Sequence, residues 1–501
     1  MRRVPLLSGT RLVLAAAPDD AVVLRPPKPA GAVADVGAAV RDALRFPLEG
    51  DSLEAHVGRG TRATIVVEPP ALPIPGSPSD PRSLAVTAVV DELERLGIST
   101  GYQTFLVACG LARRTSQREL EGLVTPELAR RFHGRVVVHD VDDPELVPLE
   151  DSSQPPLRVN RALVDTDLVV VVSAAESVLH GGPAALLAAA GADALRAAGA
   201  YSLLETTGSQ GWHLAVALER QLGRRVPLLG VSLVLNQPAI SGAFRGYPYD
   251  PAAAERIARS PLRYVYAALP ELLRRDVLRS LRTELSIAAA FGGPPSVAHA
   301  EALLRAVQLR HAQLDEPLDT IVIGIPSSTP YLPRERPNPL LAAYLGLGLA
   351  LGLWRDTFPV VDGGAAILVH PFERRFAHPS QQPYRDFFRA IRAGSARDAG
   401  LVREAEQAAA ADEKAIASYR EGRTHHPLLP FADWSACGPA LGRLGEVFVA
   451  GCRDHDAARA LGLVPTHGVG AAVQMAAGRA GGTLRIGFLL SPPYFPLRVR
   501  A

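Results

Sequence analysis

The sequence predicts an α/β protein of two domains, with mainly parallel sheets around an interdomain cleft. Short β-branched runs alternate with longer helical patterns, as in a parallel sheet covered by helices on both faces. The alternation pauses in a charged, mostly helical stretch from Pro251 to about Leu314 and then resumes. At 501 residues the chain is long enough for two domains. A boundary near residue 285 gives domains 1–285 and 286–501.

Ala63–Glu68 (ATIVVE) reads as a buried strand, and Leu84–Leu96 as a helix that stops at Gly97. Thr104–Ala108 is a second strand. Ser116, with Glu119 three residues on, opens a short helix to Leu123 as a capping box. Thr125-Pro126 opens another, with Pro at its first position. Arg135–His139 and Leu168–Val172 are the third and fourth strands. Val226–Leu235, Thr320–Ile325, Ala365–Val369 and Leu484–Leu490 are strands of the later part, and Leu340–Leu353 is a buried helix. The proline-rich stretches Glu68–Pro81 and Pro326–Pro339 each follow a strand and precede a helix. In open α/β sheets that places them at the carboxyl edge, where ligands bind.

Composition excludes several classes. The apolar (48%) and charged (21%) fractions are those of a folded globular protein. A net charge of +2 gives no field that would attract nucleic acid or an anionic membrane. The longest apolar run, Leu340–Trp354, is shorter than the roughly 20 residues a membrane span needs. Three cysteines, Cys109, Cys437 and Cys452, fit a reducing cytoplasm better than a disulfide framework. Ser8, Gly9, Thr10 and Arg11 interrupt any apolar core of a signal peptide.

Four segments taken in order resemble the nickel-dependent lactate racemase family. They are Phe46–Glu68 leading into its proline-rich loop, Val107–Leu120 (VACGLARRTSQREL), Val159–Ala190, and Pro326–Val369 with Tyr331 and Asn338. The resemblance spans roughly residues 40–495. It implies a two-domain α/β fold around a cleft and a pyridinium-derived cofactor tethered through lysine that holds nickel in a pincer. It further implies hydride transfer at the α-carbon of a 2-hydroxy acid, with histidines as acid and base and an arginine on the carboxylate. Each role needs a particular group: a nucleophilic amine, an imidazole for nickel, a His for proton transfer near neutrality, a bidentate guanidinium.

Most of those groups are replaced here. The Asp-x-Thr-Arg-Pro loop of the family falls on Pro69–Pro73, with Leu72 in place of arginine. Its Gly-x-His-Arg motif has Ala112 for histidine and keeps Arg113. Its Glu-x-His motif keeps Glu176 and has Val178 for histidine. The tethering lysine falls on Ala184, the later lysine on Tyr344, and the metal histidine is missing near Tyr201. The chain has only two lysines, Lys28 and Lys414, so no realignment restores the tether. Cofactor binding and metal binding are therefore expected to be absent, with Ala112, Val178 and Ala184 lining an apolar pocket if they converge.

The remaining candidates are His139, Glu176 and His180 for catalysis and Arg113, Arg114, Tyr331 and Asn338 for substrate binding. Arg113 and Arg114 sit between a strand and a helix start, where an anion can bind, or form a solvated loop pair. His139 ends a strand beside Asp140, as a base or as a structural residue. His180 lies four residues after Glu176, as a shifted ligand or as a loop histidine. His370, His378, His425, His426, His455 and His467 lack the paired spacing of a zinc site. The expected partner is a small carboxylate, with an active paralogue or a second copy of the chain as protein partners.

Overall fold

The computed structural model describes residues 2–69, 80–120, 122–149, 157–240, 242–281, 283–327, 337–480, 484–492 and 494–500. Its first large sheet has six strands, in the spatial order Ile287–Gly293, Leu228–Leu235, Leu168–Ala174, Ala63–Val67, Gln103–Val107, Arg135–Val138. All pairs are parallel except the edge strand Ile287–Gly293, which runs antiparallel to Leu228–Leu235. Numbered along the chain this is the doubly wound order 3-2-1-4-5-6, whose direction of growth reverses between Ala63–Val67 and Leu168–Ala174.

Both of those central strands are buried along their whole length. Their alternate residues serve opposite faces, as the two-residue repeat of a strand requires. Ile65, Val67, Val170 and Val172 join Val40, Leu44, Val86 and Val89 of the helices Val36–Arg45 and Pro81–Arg95. Val66, Val169 and Val171 join Leu186, Leu187, Leu218 and Leu222 on the other side. The helix expected over Leu84–Leu96 runs over Pro81–Arg95 and so begins earlier: Asp80 accepts from the Arg82 N–H and Pro81 takes the first turn. The two short helices after it keep their expected caps. Glu119 accepts from the Ser116 N–H at 2.9 Å, and Thr125 caps Pro126–Arg131.

The second sheet is parallel throughout, in the order Val464–Thr466, Glu446–Ala450, Val360–Val369, Leu318–Gly324, Ile486–Leu489, Val22–Leu24. Two segments cross the division expected at residue 285. The strand Ile287–Gly293 completes the first sheet, and the helix Pro295–Arg310 packs against that same sheet. Residues 2–24 lie on the second sheet instead. The hairpin Arg2–Ser8/Arg11–Ala17 buries Val4, Leu6, Ala15 and Ala17 against Val322, Ile367, Phe448 and Phe488, and Val22–Leu24 forms its edge. The charged stretch 251–314 is therefore not a linker: apolar burial and ladder pairing, not charge, decide which domain each part joins.

The apolar run after Asn338 is helical and buried, but it is not one α-helix. An α-turn over Pro339–Ala343 widens into a π-helix over Tyr344–Ala350. Gly346 and Gly348 sit there because a Cβ would meet Leu368 at 2.4 Å and Tyr344 at 2.6 Å, respectively. No helix among the described residues is long and apolar enough to cross a membrane.

Candidate functional site

Ligands of doubly wound sheets bind beyond the carboxyl ends of the strands where the order reverses. Here that position lies between Glu68, which follows Ala63–Val67, and the segment 175–182, which follows Leu168–Ala174. The two are tied directly, since Glu68 Oε2 accepts from the Gly181 N–H at 2.7 Å. Gly182 donates to Ser173 Oγ at 3.0 Å. His299 reaches in from the helix Pro295–Arg310, wholly buried. Its Nε2 donates to the Ser177 carbonyl at 2.9 Å and its Nδ1 accepts from the Ser232 hydroxyl at 3.1 Å. His180 Nδ1 accepts from the Ser177 hydroxyl at 3.1 Å.

Two arginines complete the cluster. Arg310 Nη1 pairs with Glu176 at 2.6 Å, both side chains 4% exposed. Arg82 is clamped by Asp80, with Nε at 3.0 Å from Oδ2, while its Nη1 is buried and has no hydrogen-bond partner among the described residues. Burial pushes the Glu68 carboxyl up to about 7, against the pull of Arg82 and the Gly181 N–H. Burial holds His180 and His299 down at about 4, and for His180 the neighbouring His299 adds to the effect. The chemistry assembled is one carboxyl poised near neutrality, neutral imidazoles, and a guanidinium with an unused donor. Val67, Glu68, Asp80, Arg82, Gly122 and Leu123 are among the walls of a cavity of about 20 Å³ beside Arg82, room for one water.

The glycines make this packing possible. Gly182 has φ +52, and a Cβ there would stand 2.3 Å from His299 Cβ and 2.9 Å from the Pro295 carbonyl oxygen. Gly182→Ala is expected to cost about 3 kcal/mol or more, from backbone strain and overpacking together. Chemical denaturation measures it, and a loss under about 1 kcal/mol contradicts the packing described.

Of the residues singled out from sequence, Glu176 and His180 lie in this cluster. The others do not. His139 is wholly buried, its Nε2 donating to the Ala190 carbonyl at 2.9 Å and its Nδ1 accepting from Asn160 at 3.2 Å. Burial lowers it to about 4. Arg113 and Arg114 join the two domains. The Arg113 N–H donates to His425 Nδ1 at 2.9 Å, its guanidinium pairs with Glu119, and Arg114 donates to the carbonyls of Arg420 and Val138. Nearby, Arg420 pairs with Asp140 at 2.9 Å, His426 with Asp142 at 2.8 Å, and Tyr419 donates to the Gly110 carbonyl. Asn338 is buried and caps the turn after it, accepting from the Leu341 N–H at 3.1 Å, while its Nδ2 finds no partner. Tyr331 and Leu72 lie outside the described residues.

Ala112, Val178 and Ala184, set against family ligands in the sequence, lie in different surroundings, which counts against that residue-by-residue placement. Val178 is wholly buried in a core shared with Leu340–Leu353, and its N–H donates to the Leu203 carbonyl. Ala184 is buried in the helix Pro183–Leu187, and Ala112 is half-buried in the loop before Arg113. Both lysines, Lys28 and Lys414, are exposed. Among the described residues no group of three or more His, Cys, Asp or Glu side chains is arranged to hold a metal.

Sequence reading passed over Glu68 as a ligand, Arg82, His299 and Arg310. Glu68 and Arg82 carried a usable signal, at a strand end and behind an Asp-Pro helix start. His299 and Arg310 carried none, because a helix more than a hundred residues downstream delivers them.

A two-domain α/β protein with a doubly wound first sheet and a polar cluster at its switch point is the class this geometry defines. Residues 9–181 match the family model described as lactate racemase N-terminal domain. The chain is similar to the lactate racemase apoprotein from Thermoanaerobacterium thermosaccharolyticum, with a TM-score of 0.62 at 14% identity, covering 99% of this chain and 100% of that one. A structural-genomics target protein from Thermotoga maritima gives a TM-score of 0.50 at 12% identity, covering 93% and 97%. No curated protein matches the chain. The likeness is thus to the lactate racemase N-terminal domain over residues 9–181 and, along the whole chain, to the fold of that apoprotein.

Proposed function

We propose that this protein is a cytoplasmic, lactate racemase-like binder of a small carboxylate, such as a 2-hydroxy acid, without lysine-tethered nickel-pincer chemistry. The observation that carries the ligand class is the buried Arg82 Nη1 with no partner among the described residues, beside a carboxyl held near neutrality at the sheet's switch point. A ligand carboxylate supplies the missing acceptor, and Glu68, as the acid, donates to the 2-hydroxyl or accepts from it. The cavity beside Arg82 has room for one water, so binding a 2-hydroxy acid there requires its Gly122–Leu123 wall to move.

The donor set does not fit the family cofactor. A covalent tether needs an amine, and the only two lysines are exposed, at residues 28 and 414. The positions that would carry tether and ligand, Ala184 and Val178, are buried apolar side chains. No step through nickel is therefore derived.

A second reading is an active 2-hydroxy-acid racemase or epimerase with a rebuilt or non-covalent cofactor site. What favours it is Glu68 at about 7, suited to proton transfer at neutral pH, with His180 in the same cluster.

Calorimetric titration with D- and L-lactate and other 2-hydroxy acids tests binding, and Arg82→Gln is expected to weaken it about tenfold or more, as loss of a charged hydrogen bond does. Intact mass of the purified protein and a lactate interconversion assay separate the two readings. A covalent nickel-bearing adduct sinks the first reading. Absence of saturable binding by any 2-hydroxy acid sinks the ligand class.

A further inference from the structure

The second sheet has a ligand-sized cavity of its own, of about 290 Å³, at its carboxyl edge. Its walls come from the ends of Val360–Val369 and Glu446–Ala450, the segment after Val464–Thr466, the turn of the N-terminal hairpin, and the helix Glu271–Ser280. Four arginines line it, Arg11, Arg274, Arg375 and Arg453, against two glutamates, Glu271 and Glu373. Arg375 and Arg453 are paired with those glutamates.

Arg274 is not. Its side chain comes from a helix, it is only 9% exposed, and it is held by neutral acceptors alone: Thr10 Oγ1 at 3.4 Å and the carbonyls of Leu269 at 2.6 Å and Ala267 at 3.2 Å. No carboxylate pairs with it among the described residues. A guanidinium desolvated to this degree without a counter-charge is costly unless an anion completes it. The backbone around the cavity suits the same occupant. The helix Val469–Ala480 starts at the rim, directing its positive end there. Gly451, at φ +78, and Gly468 line the cavity with open space where a Cβ would stand, so an oxyanion can approach the main chain.

We infer that this cavity binds a phosphate group, free or on a small phosphorylated molecule, with Arg274 as its buried anchor and Arg11 and Arg453 at its rim. The volume sits at the lower end of small-molecule sites, which favours a compact ligand. The proposal is independent of the carboxylate reading, since none of its residues belongs to the first sheet.

The test is titration of the full chain with inorganic phosphate and, separately, with glycerol 3-phosphate, each against sodium chloride at equal ionic strength, followed by calorimetry and melting temperature. Saturable binding with a rise in melting temperature is expected. Arg274→Gln is expected to weaken it about tenfold or more, and Arg82→Gln to leave it unchanged. Tighter binding of the ester than of inorganic phosphate identifies a phosphorylated metabolite as the ligand, and the reverse identifies free phosphate. If Arg274→Gln does not fold, Arg453→Gln, at an exposed position, takes its place with a smaller loss expected. Absence of saturation by either compound overturns the proposal, as does full affinity in the folded Arg274→Gln or Arg453→Gln protein.

Discussion

Acidification from pH 7 to pH 4 is expected to unfold the protein. His139, His299 and His370 are each at most 3% exposed. Burial depresses them to about 4, about 4 and about 3 against 6.5 for a free imidazole. For a depressed pKa the stability is complete above 6.5 and is lost as pH falls through the folded value, because the unfolded chain takes protons that the native state refuses. Each imidazole contributes about 1.4 kcal/mol per pH unit over that window. Together they amount to something on the order of 10 kcal/mol, comparable with the whole stability of a domain. Glu68 works the other way. Its pKa is raised from 4.5 to about 7, so its contribution is present below 4.5 and is lost as pH rises through 7. Acidification thus returns only about a third of what the three imidazoles remove. Urea denaturation followed by circular dichroism at pH 7, 6 and 5 should show stability falling at each step. A flat or rising profile would mean the imidazoles are hydrated.

Arg310→Met is expected to destabilise the protein by about 3–5 kcal/mol, the cost of stranding one charge of a buried pair. Glu176 would remain 4% exposed at the end of a fully buried strand, with its guanidinium partner gone. Glu176→Gln should cost less, since an amide still accepts from Arg310 but leaves that cation buried without a counter-charge. The double variant Glu176→Gln/Arg310→Met should regain most of the loss, because buried ion pairs exchanged for neutral groups are often close to neutral. Guanidinium denaturation of the three proteins closes the cycle. A single-variant loss below about 1 kcal/mol would place the pair in solvent rather than in the core.

The fold was legible where one physical signal dominates. Each central strand, such as Ala63–Val67 or Leu168–Ala174, is a continuous β-branched run because both its faces are covered. Glu119 on Ser116 and the Thr125 cap are read from adjacent residues alone, whereas the Asp80 cap went unread and its helix was expected to start at Leu84. Membership of a sheet was less legible. Ile287–Gly293 falls in the stretch read as mostly helical, and its place in the first sheet emerges only from its antiparallel ladder with Leu228–Leu235. The widened turns at Tyr344–Ala350 leave the apolar periodicity of a helix intact, so the sequence does not register them.

The site was half legible. Glu176 was found because it keeps the glutamate of the family's Glu-x-His motif, and His180 because it lies four residues further on. Their partners Arg310 and His299 arrive from over a hundred residues away. Arg113 and Arg114 carried the charge an anion site needs, yet the Glu413–Arg420 helix and the residues after it claim their donors. Charge in a sequence names what a side chain could bind. Only tertiary placement decides what reaches it first.

The edge strand Val22–Leu24 pairs with Ile486–Leu489, so it finds this neighbour only after more than 450 further residues have left the ribosome. The hairpin before it is covered in stages, by Val322, Ile367 and Phe448 first and by Phe488 last. The same closeness of early and late residues suggests that a circular permutant, opened in the 26–34 connection and joined across the old termini, would assemble its second domain from contiguous chain.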